Sequence, residues 1–331
     1  MKPECGDSVI EINGLSKSYG KTEVLHNINL RINTGEIYGI IGESGAGKST
    51  LLRCINGLEL YSAGSLLVDG VEVKSLTEDD LRKFRKNVGM VFQSFSLIGR
   101  KTVFQNIALP MECWRASESE IKKKVAHLAD LVGLSEKLDA RPRELSGGQM
   151  QRVAVARALT MDPKYILCDE CTSALDPKTT LSILEMLENI RAELGVTVVM
   201  VTHEMSVVQS LCDRVAVMHN GGIAEEGEVS DLFFQNSVTL QNLLGVKSHE
   251  IKDGEMLLIF EAPIADEGAF LWGLGRILQT PYEICDATAF TLKKQKNSRV
   301  TLLLDDSEYA KVKGFMETQH IKYCIKRRSV N

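Results

Sequence analysis

The 331-residue sequence predicts an α/β domain over residues 8–246, joined through a polar stretch at 247–254 to a smaller α+β domain over 255–331. Three observations carry this reading. The pattern G-x-x-x-x-G-K-[ST] stands at Gly42–Ser49, between an apolar run that suits a buried strand and a segment that suits a helix. Short apolar runs ending in polar residues recur through the first two thirds, as strands of a parallel sheet do. The last third parses as β-α-β-β-α-β, an order that predicts a ferredoxin-like fold.

Composition bounds the rest. The chain is 44% hydrophobic and 25% charged, ordinary values for a globular protein with ample core. A net charge of −5 argues against a chain devoted to nucleic acid. No run of 18 apolar residues exists, so no helix is expected to span a bilayer. Met1–Asp7 lacks an apolar signal core, and the eight cysteines are scattered, which together favour a cytosolic setting with reduced thiols. One pair, Cys168 and Cys171, has C-x-x-C spacing, but no second pair completes a zinc site.

Alternation of apolar residues predicts strands at Ser8–Leu15 and His26–Ile32, with turns at Ser18–Lys21 and Thr34–Glu36. Tyr19, in the first turn, offers a ring face on which an adenine could stack; plain packing is the alternative for a lone tyrosine. The run Ile37–Ile41 leads into Gly42, Glu43, Ser44, Gly45, Ala46, Gly47, Lys48, Ser49 and Thr50, and the helix is expected from Leu51. Glycines let such a loop curl so that backbone N–H groups face phosphate oxygens, and the helix N-terminus adds its positive end. Lys48 can reach the β and γ phosphates of ATP, and the Ser49 hydroxyl can ligate Mg²⁺.

Ser65–Val73 predicts a hairpin turning at Asp69-Gly70, Asp79–Lys86 a charged helix, and Val88–Phe92 a buried strand that delivers Gln93 to its C-terminal end. Ligands of parallel sheets bind beyond those ends, so Gln93 is placed to meet Mg²⁺ or an attacking water. From Thr102 to Leu138 the pattern is helical. Ile121, Val125, Leu128 and Val132 form one stripe, with Lys122, Lys123 and Lys124 on a solvated face and Gly133 at the end. Ser146, Gly147, Gly148 and Gln149 open another helix and make a second anion cradle, of use mainly if two copies face each other. Strand Lys164–Cys168 ends in Asp169, positioned for a Mg²⁺-bound water, and Glu170, positioned as general base toward water beyond the γ phosphate. Thr179–Leu194 is an amphipathic helix with Ile183, Leu187 and Ile190 in register. Thr197–Glu204 is a buried strand ending in a histidine, His203, and Arg214–Gly227 is a hairpin.

In the tail, strands are expected at Met256–Glu261, Ile284–Leu292, Arg299–Leu304 and Ile321–Lys326. Helices are expected at Glu267–Leu278, with Leu271, Leu274 and Leu278 as its stripe, and at Asp306–Thr318, with Tyr309, Val312 and Met316. No nucleophile–base pair or ligand cluster appears there, which favours binding or regulation over chemistry.

Together, Gly42–Thr50, Gln93, Leu145–Gln149, Asp169–Glu170, Thr172–Asp176 and His203 resemble the ATP-binding subunits of ABC transporters, over roughly residues 8–240. Leu145–Gln149 separates that family from other phosphate-loop proteins. The resemblance implies a P-loop NTPase (ABC ATPase) domain with a helical subdomain, Glu170 as base, Asp169 with Gln93 and Ser49 at Mg²⁺, and His203 as a γ-phosphate switch. Ser173 and Asp176 would communicate across a head-to-tail ATP-sandwich dimer. Arg53–Asn56, Leu167–Glu170, Thr202–Met205 and the C-terminal module resemble the methionine-importer branch. That branch implies a multispanning membrane permease and, indirectly, an extracytoplasmic substrate-binding protein as partners, with no nucleic acid. It also implies a peripheral place on the cytoplasmic face of the inner membrane, and an amino acid bound by the C-terminal domain to restrain ATP hydrolysis. Two departures stand out: Cys171 where relatives often carry proline or alanine, and Thr280–Glu283 where relatives are often asparagine-rich. Other readings are an ABC transporter for another amino acid or small solute, and a soluble ABC ATPase acting on ribosomes or DNA. That last class usually carries two ATPase halves or a coiled-coil insertion.

Overall fold

The computed structural model describes residues 8–235, 251–292, 295–319 and 321–327. Contacts divide the chain into two compact units, Met1–Gly227 and Glu228–Asn331. Residues 236–246, at the end of the expected ATPase domain, and 247–250 of the expected linker lie outside the described residues.

The first unit contains two sheets. Strands β1 (Ser8–Tyr19), β2 (Thr22–Asn33), β4 (Ala63–Val68) and β5 (Val71–Glu72) form an antiparallel sheet in the order β2-β1-β4-β5. The central sheet runs β10-β9-β3-β8-β7-β6, from strands β3 (Ile37–Gly42), β6 (Val88–Val91), β7 (Tyr165–Asp169), β8 (Thr197–Val201), β9 (Arg214–His219) and β10 (Gly222–Glu228). The pairs β3–β8, β3–β9, β7–β8 and β6–β7 are parallel. Every residue of β3, β7 and β8 is buried, which is why these strands are apolar runs and not alternating ones. Asn220 (φ 47°) and Gly221 (φ 78°) turn β9 into β10 with two left-handed residues, as a tight hairpin requires.

Around this sheet lie α1 (Lys48–Ile55), α2 (Glu78–Lys86), α6 (Pro177–Leu194) and α7 (Met205–Leu211). A helical segment of α3 (Val103–Cys113), α4 (Glu118–Leu131) and α5 (Gly147–Leu159) follows β6 in the chain. The last three each start in a capping box, with Thr102, Ser117 and Ser146 as N-caps answered by Gln105, Glu120 and Gln149. Three local expectations change. Helix α1 begins at Lys48 and not at Leu51, so Lys48 and Ser49 form its first turn, where backbone N–H groups lack helical partners. Strand β1 extends to Tyr19, because it pairs with both β2 and β4 and the antiparallel ladder outlasts the apolar alternation. Lys124 is half-buried and paired with Asp162, so only Lys122 and Lys123 belong to the solvated face.

The second unit opens with α8 (Val229–Gln235). It continues through β11 (Glu255–Pro263), α9 (Glu267–Ile277), β12 (Glu283–Leu292), β13 (Gln295–Asp305), α10 (Tyr309–Gln319) and β14 (Lys322–Arg327). Its antiparallel sheet has the order β12-β13-β11-β14, the ferredoxin-like arrangement, with β11 and β13 in the middle. Met256, Leu258 and Phe260, at alternate positions of β11, pack with Val300, Leu302, Val312 and Met316 in one core. On α9 the buried positions are Phe270 and Leu274, while Leu271 and Leu278 are only partly buried. The Phe270 ring stacks tilted on Phe260, centroids 4.3 Å apart, and on Phe315 at 5.2 Å. These aromatic contacts fix which side of α9 faces inward.

Phe260 is fully buried between both helices and the central strands. Phe260→Ala is expected to destabilise the second unit by about 3–5 kcal/mol, read as a lower midpoint in urea unfolding. A loss below about 1 kcal/mol would contradict the packing described.

Candidate nucleotide site

The phosphate loop is shaped by contacts its glycines make. A Cβ on Gly42 would stand 2.3 Å from the Met218 carbonyl oxygen of neighbouring β9, so only glycine lets β3 end this close to it. Gly47 has φ +94°, and a Cβ there would meet Leu25 Cδ2 at 2.7 Å. Between them Glu43, Ser44 and Gly45 are exposed, while Ala46 is buried and donates its N–H to the Glu43 carbonyl at 3.2 Å. Thr50 lies half-buried in the first turn of α1. Lys48, 6% exposed, folds back onto its own loop and donates to the Gly42 and Glu43 carbonyls, both at 2.8 Å. Burial pushes its pKa down, opposed by the carboxylates of Glu170 and Asp169. Its direct partners are the two loop carbonyls, with the Glu170 and Asp169 carboxylates favouring its charged form.

Strand order explains the rest. Because β3, β8, β7 and β6 are neighbours, the residues after their C-terminal ends meet at one edge of the sheet. Asp169 closes β7, and its Oδ1 accepts from the Ser49 hydroxyl at 2.7 Å, tying that strand to the first turn of α1. Glu170 follows in a left-handed conformation, φ 46°, and donates its N–H to the Val201 carbonyl of β8 at 3.0 Å. Such a conformation costs of order 1–3 kcal/mol in a residue with a Cβ. Here it turns the carboxylate out of the strand. Glu170 Oε2 accepts from Gln93 Nε2 at 3.0 Å, and Oε1 lies 3.3 Å from His203 Nδ1. Gln93, His203 and Glu170, drawn from three different strand ends, are therefore in mutual contact through one carboxylate.

Ser146, Gly147, Gly148 and Gln149 stand elsewhere on the unit, at the start of α5. The Ser146 hydroxyl accepts from the Gln149 N–H at 3.3 Å, and the Gln149 side chain accepts from the Ser146 N–H at 3.0 Å. Gly148 lies against α6: a Cβ there would come within 2.3 Å of Thr179 Cγ2. Thr179 is held by Asp176, the N-cap of α6, whose carboxylate accepts from the Thr179 N–H and hydroxyl at 3.0 and 2.6 Å. These bonds hold the Asp176 carboxyl below its usual range. Tyr19, at the end of β1, is 43% exposed.

Two sets of contacts lie outside the sequence expectations. The Ser173 hydroxyl donates to the Glu170 carbonyl at 3.0 Å and accepts from Gln93 Nε2 at 3.3 Å, so it braces the same carboxylate turn. Its place three residues after Glu170 is the one sequence cue, that of a serine closing a turn. Arg157 of α5 donates to the Phe95 and Ser96 carbonyls at 3.0 and 2.7 Å, across residues whose φ values are 57° and 51°. The segment after Gln93 is thereby held by the helix that Ser146 caps, a pairing visible only in three dimensions.

Comparison with known proteins agrees with this geometry. The ABC transporter family model matches residues 25–173. The chain is 46% identical over 316 residues to the methionine import ATP-binding protein MetN of Clostridioides difficile, covering 95% of this chain and 98% of that protein. It is 42% identical over 313 residues to the protein of the same name from Clostridium tetani, with the same coverages. Among solved structures, cbiO1 from Clostridium perfringens, part of the ABC transporter complex cbiONQ, gives a TM-score of 0.66 at 32% identity, over 70% of this chain and 93% of that one. An ATP-binding cassette solved as a dimer in a post-hydrolysis state with ADP and Pi gives 0.61 at 36% identity, over 66% and 98%. With the phosphate loop, the paired carboxylates and relatives aligned over almost their whole length, the chain belongs to the ABC transporter family as one of its ATP-binding proteins.

Proposed function

We propose that this chain is the ATP-hydrolysing subunit of an importer for methionine, working as a pair of copies beneath a separate membrane permease. The observation that carries the catalytic reading is the shared carboxylate: Glu170 touches Gln93 and His203 at a sheet edge that also holds Lys48 and Asp169. The methionine assignment rests on identity across nearly the full length of proteins bearing that name.

Lys48 exchanges its loop carbonyls for the β and γ phosphates, and the N–H groups of Lys48–Thr50 at the start of α1 face the same anion. Tyr19 carries the adenine on its ring face. Ser49, Asp169 and Gln93 offer a hydroxyl, a carboxylate and an amide oxygen, the hard donors that suit Mg²⁺. Ser49 and Asp169 already stand 2.7 Å apart. When bound, the metal neutralises phosphate charge. Glu170 takes the proton of the attacking water, His203 holds the γ phosphate, and Gln93 orients the carboxylate that does the abstraction. Ser146, Gly147, Gly148 and Gln149 serve the nucleotide of the second copy, so each site is completed by the other chain.

Coupling to the permease runs through the segment after Gln93, roughly 94–112. A groove of about 470 Å³ lies along it, lined in part by Phe92, Ser96, Leu109, Pro110, Trp114 and Arg157. Since Arg157 also grips the Phe95 and Ser96 carbonyls, a load on the groove reaches both Gln93 and α5. No helix among the described residues is long and apolar enough to cross a membrane. A separate permease then supplies the pathway, with the chain peripheral on its cytoplasmic side and a substrate-binding protein outside. The ferredoxin-like domain binds the imported amino acid and restrains hydrolysis.

Glu170→Gln keeps the shape and the contact with Gln93 but removes the base. Turnover is expected to fall by about 10²–10⁴ with ATP binding retained, seen as ATP-trapped dimers in size-exclusion chromatography. Full activity in that variant would contradict the assignment of the base. For the tail, ATPase activity of the full chain should fall on adding methionine, and a chain ending after Gly245 should lose that response. Inhibition by a different amino acid, with none by methionine, would move the substrate assignment.

A further inference from the structure

Lys17 is a lysine that the mechanism above leaves unused, yet at 9% exposed it is nearly as buried as Lys48. Its ammonium donates to the Leu60 carbonyl at 2.6 Å, pairs with Glu59 Oε2 at 3.1 Å, and sits 4.6 Å from the centroid of the Tyr19 ring. The ammonium therefore covers one face of the Tyr19 ring, and Glu59 and the Leu60 carbonyl hold the ammonium there. Cations bind aromatic faces through the ring quadrupole, and the attraction grows as the cation loses water, as this buried one has.

The anchors are not free loop residues. Gly57, with φ +63°, turns the chain after α1, and the Leu58 and Glu59 N–H groups both donate to the Arg53 carbonyl, at 2.9 and 3.1 Å. Glu59 is thus fastened to the C-terminal end of the helix whose first turn carries Lys48 and Ser49. Two bonds beside the clamp stitch the same segments: the Ser18 N–H to the Ser62 hydroxyl at 3.0 Å, and the Ser62 N–H to the Ser16 carbonyl at 2.7 Å. The eight residues of α1 make a rigid spacer of about 12 Å between that end and the phosphate loop.

We propose that Lys17 and Glu59 are positioning residues for nucleotide selection: they hold the Tyr19 ring at a set distance from the phosphate loop, one face sealed by the ammonium and the other left to the purine base. This rests on the reading of Tyr19 as the base platform. A platform held before binding loses no rotamer freedom when the base arrives, so the clamp acts on affinity for the base and leaves the chemistry at the γ phosphate unchanged.

The test uses the full chain and two probes, ATP and inorganic tripolyphosphate, which carries the phosphates without a base. Lys17→Met keeps the aliphatic stem, Glu59→Ala removes the partner that fixes the ammonium, Lys17→Arg restores a cation, and Tyr19→Ala removes the platform. Lys17→Met and Glu59→Ala are expected to weaken ATP binding and raise its KM about three- to tenfold. Tripolyphosphate affinity and kcat should stay unchanged, and Lys17→Arg should recover most of the loss. If Tyr19→Ala weakens ATP but neither clamp variant does, or if both probes weaken together, the clamp is wrong and Lys17 merely supports the fold. If Tyr19→Ala itself leaves ATP affinity unchanged, the platform reading fails and the clamp with it. Should Lys17→Met not fold, Glu59→Ala decides alone.

Discussion

The Lys48 ammonium, folded onto the Gly42 and Glu43 carbonyls of its own loop, is the interaction on which the rest depends. A buried lysine without partners would lose its proton or unfold its surroundings. Two loop carbonyls satisfy it while leaving the cradle open, and the nearby Asp169 and Glu170 favour its charged form. The arrangement demands that β3 end hard against β9 at Gly42, that Gly47 sit in a left-handed turn, and that α1 start at Lys48 itself. A side chain at either glycine would displace the loop, and with it every distance to the strand ends beyond.

A second constraint follows. The role proposed for Glu170 needs a carboxylate aimed off the end of a buried strand, which extended backbone does not provide. The left-handed turn at Glu170, fastened by its own N–H to β8 and braced by Ser173, supplies that direction at a cost in backbone energy. Gln93 and His203 then fix the carboxylate from both sides. Since Gln93 also begins the segment gripped by Arg157, the orientation of the base is mechanically linked to α5 and to the groove beside it. In the proposed pair of copies, α5 is the element that meets the other nucleotide.

Legibility in the sequence divides along this line. The phosphate loop, Ser146–Gln149 and Asp169-Glu170 are set by local backbone demands, so residue identity at fixed spacing places them at the start of α1, the start of α5 and the end of β7. Buried parallel strands announced themselves as apolar runs, and the tail yielded its element order from periodicity alone. What escaped depends on partners distant in the chain. The start of α1 lies earlier than the pattern implies, because Lys48 and Ser49 look like loop residues in sequence yet form the first turn of the helix. Phe270 displaced Leu271 from the core because the ring stack with Phe260 and Phe315 chooses the buried side of α9. Lys17 and Glu59 look like surface charges in one dimension and become a clamp only when β1 reaches the end of α1.

The central claim is that Gly42–Thr50 forms half of a site whose other half, Ser146–Gln149, comes from a second copy. Complementation between two defective chains tests it directly. Lys48→Ala spoils the loop and spares the capped helix, while Gly148→Asp spoils the helix start and spares the loop. Each alone should be nearly inactive; mixed in equal amounts under conditions where the wild type dimerises, they should regain ATPase activity, because a mixed pair contains one intact composite site. A mixture no more active than its components would show that each chain builds its site unaided, and would contradict the account.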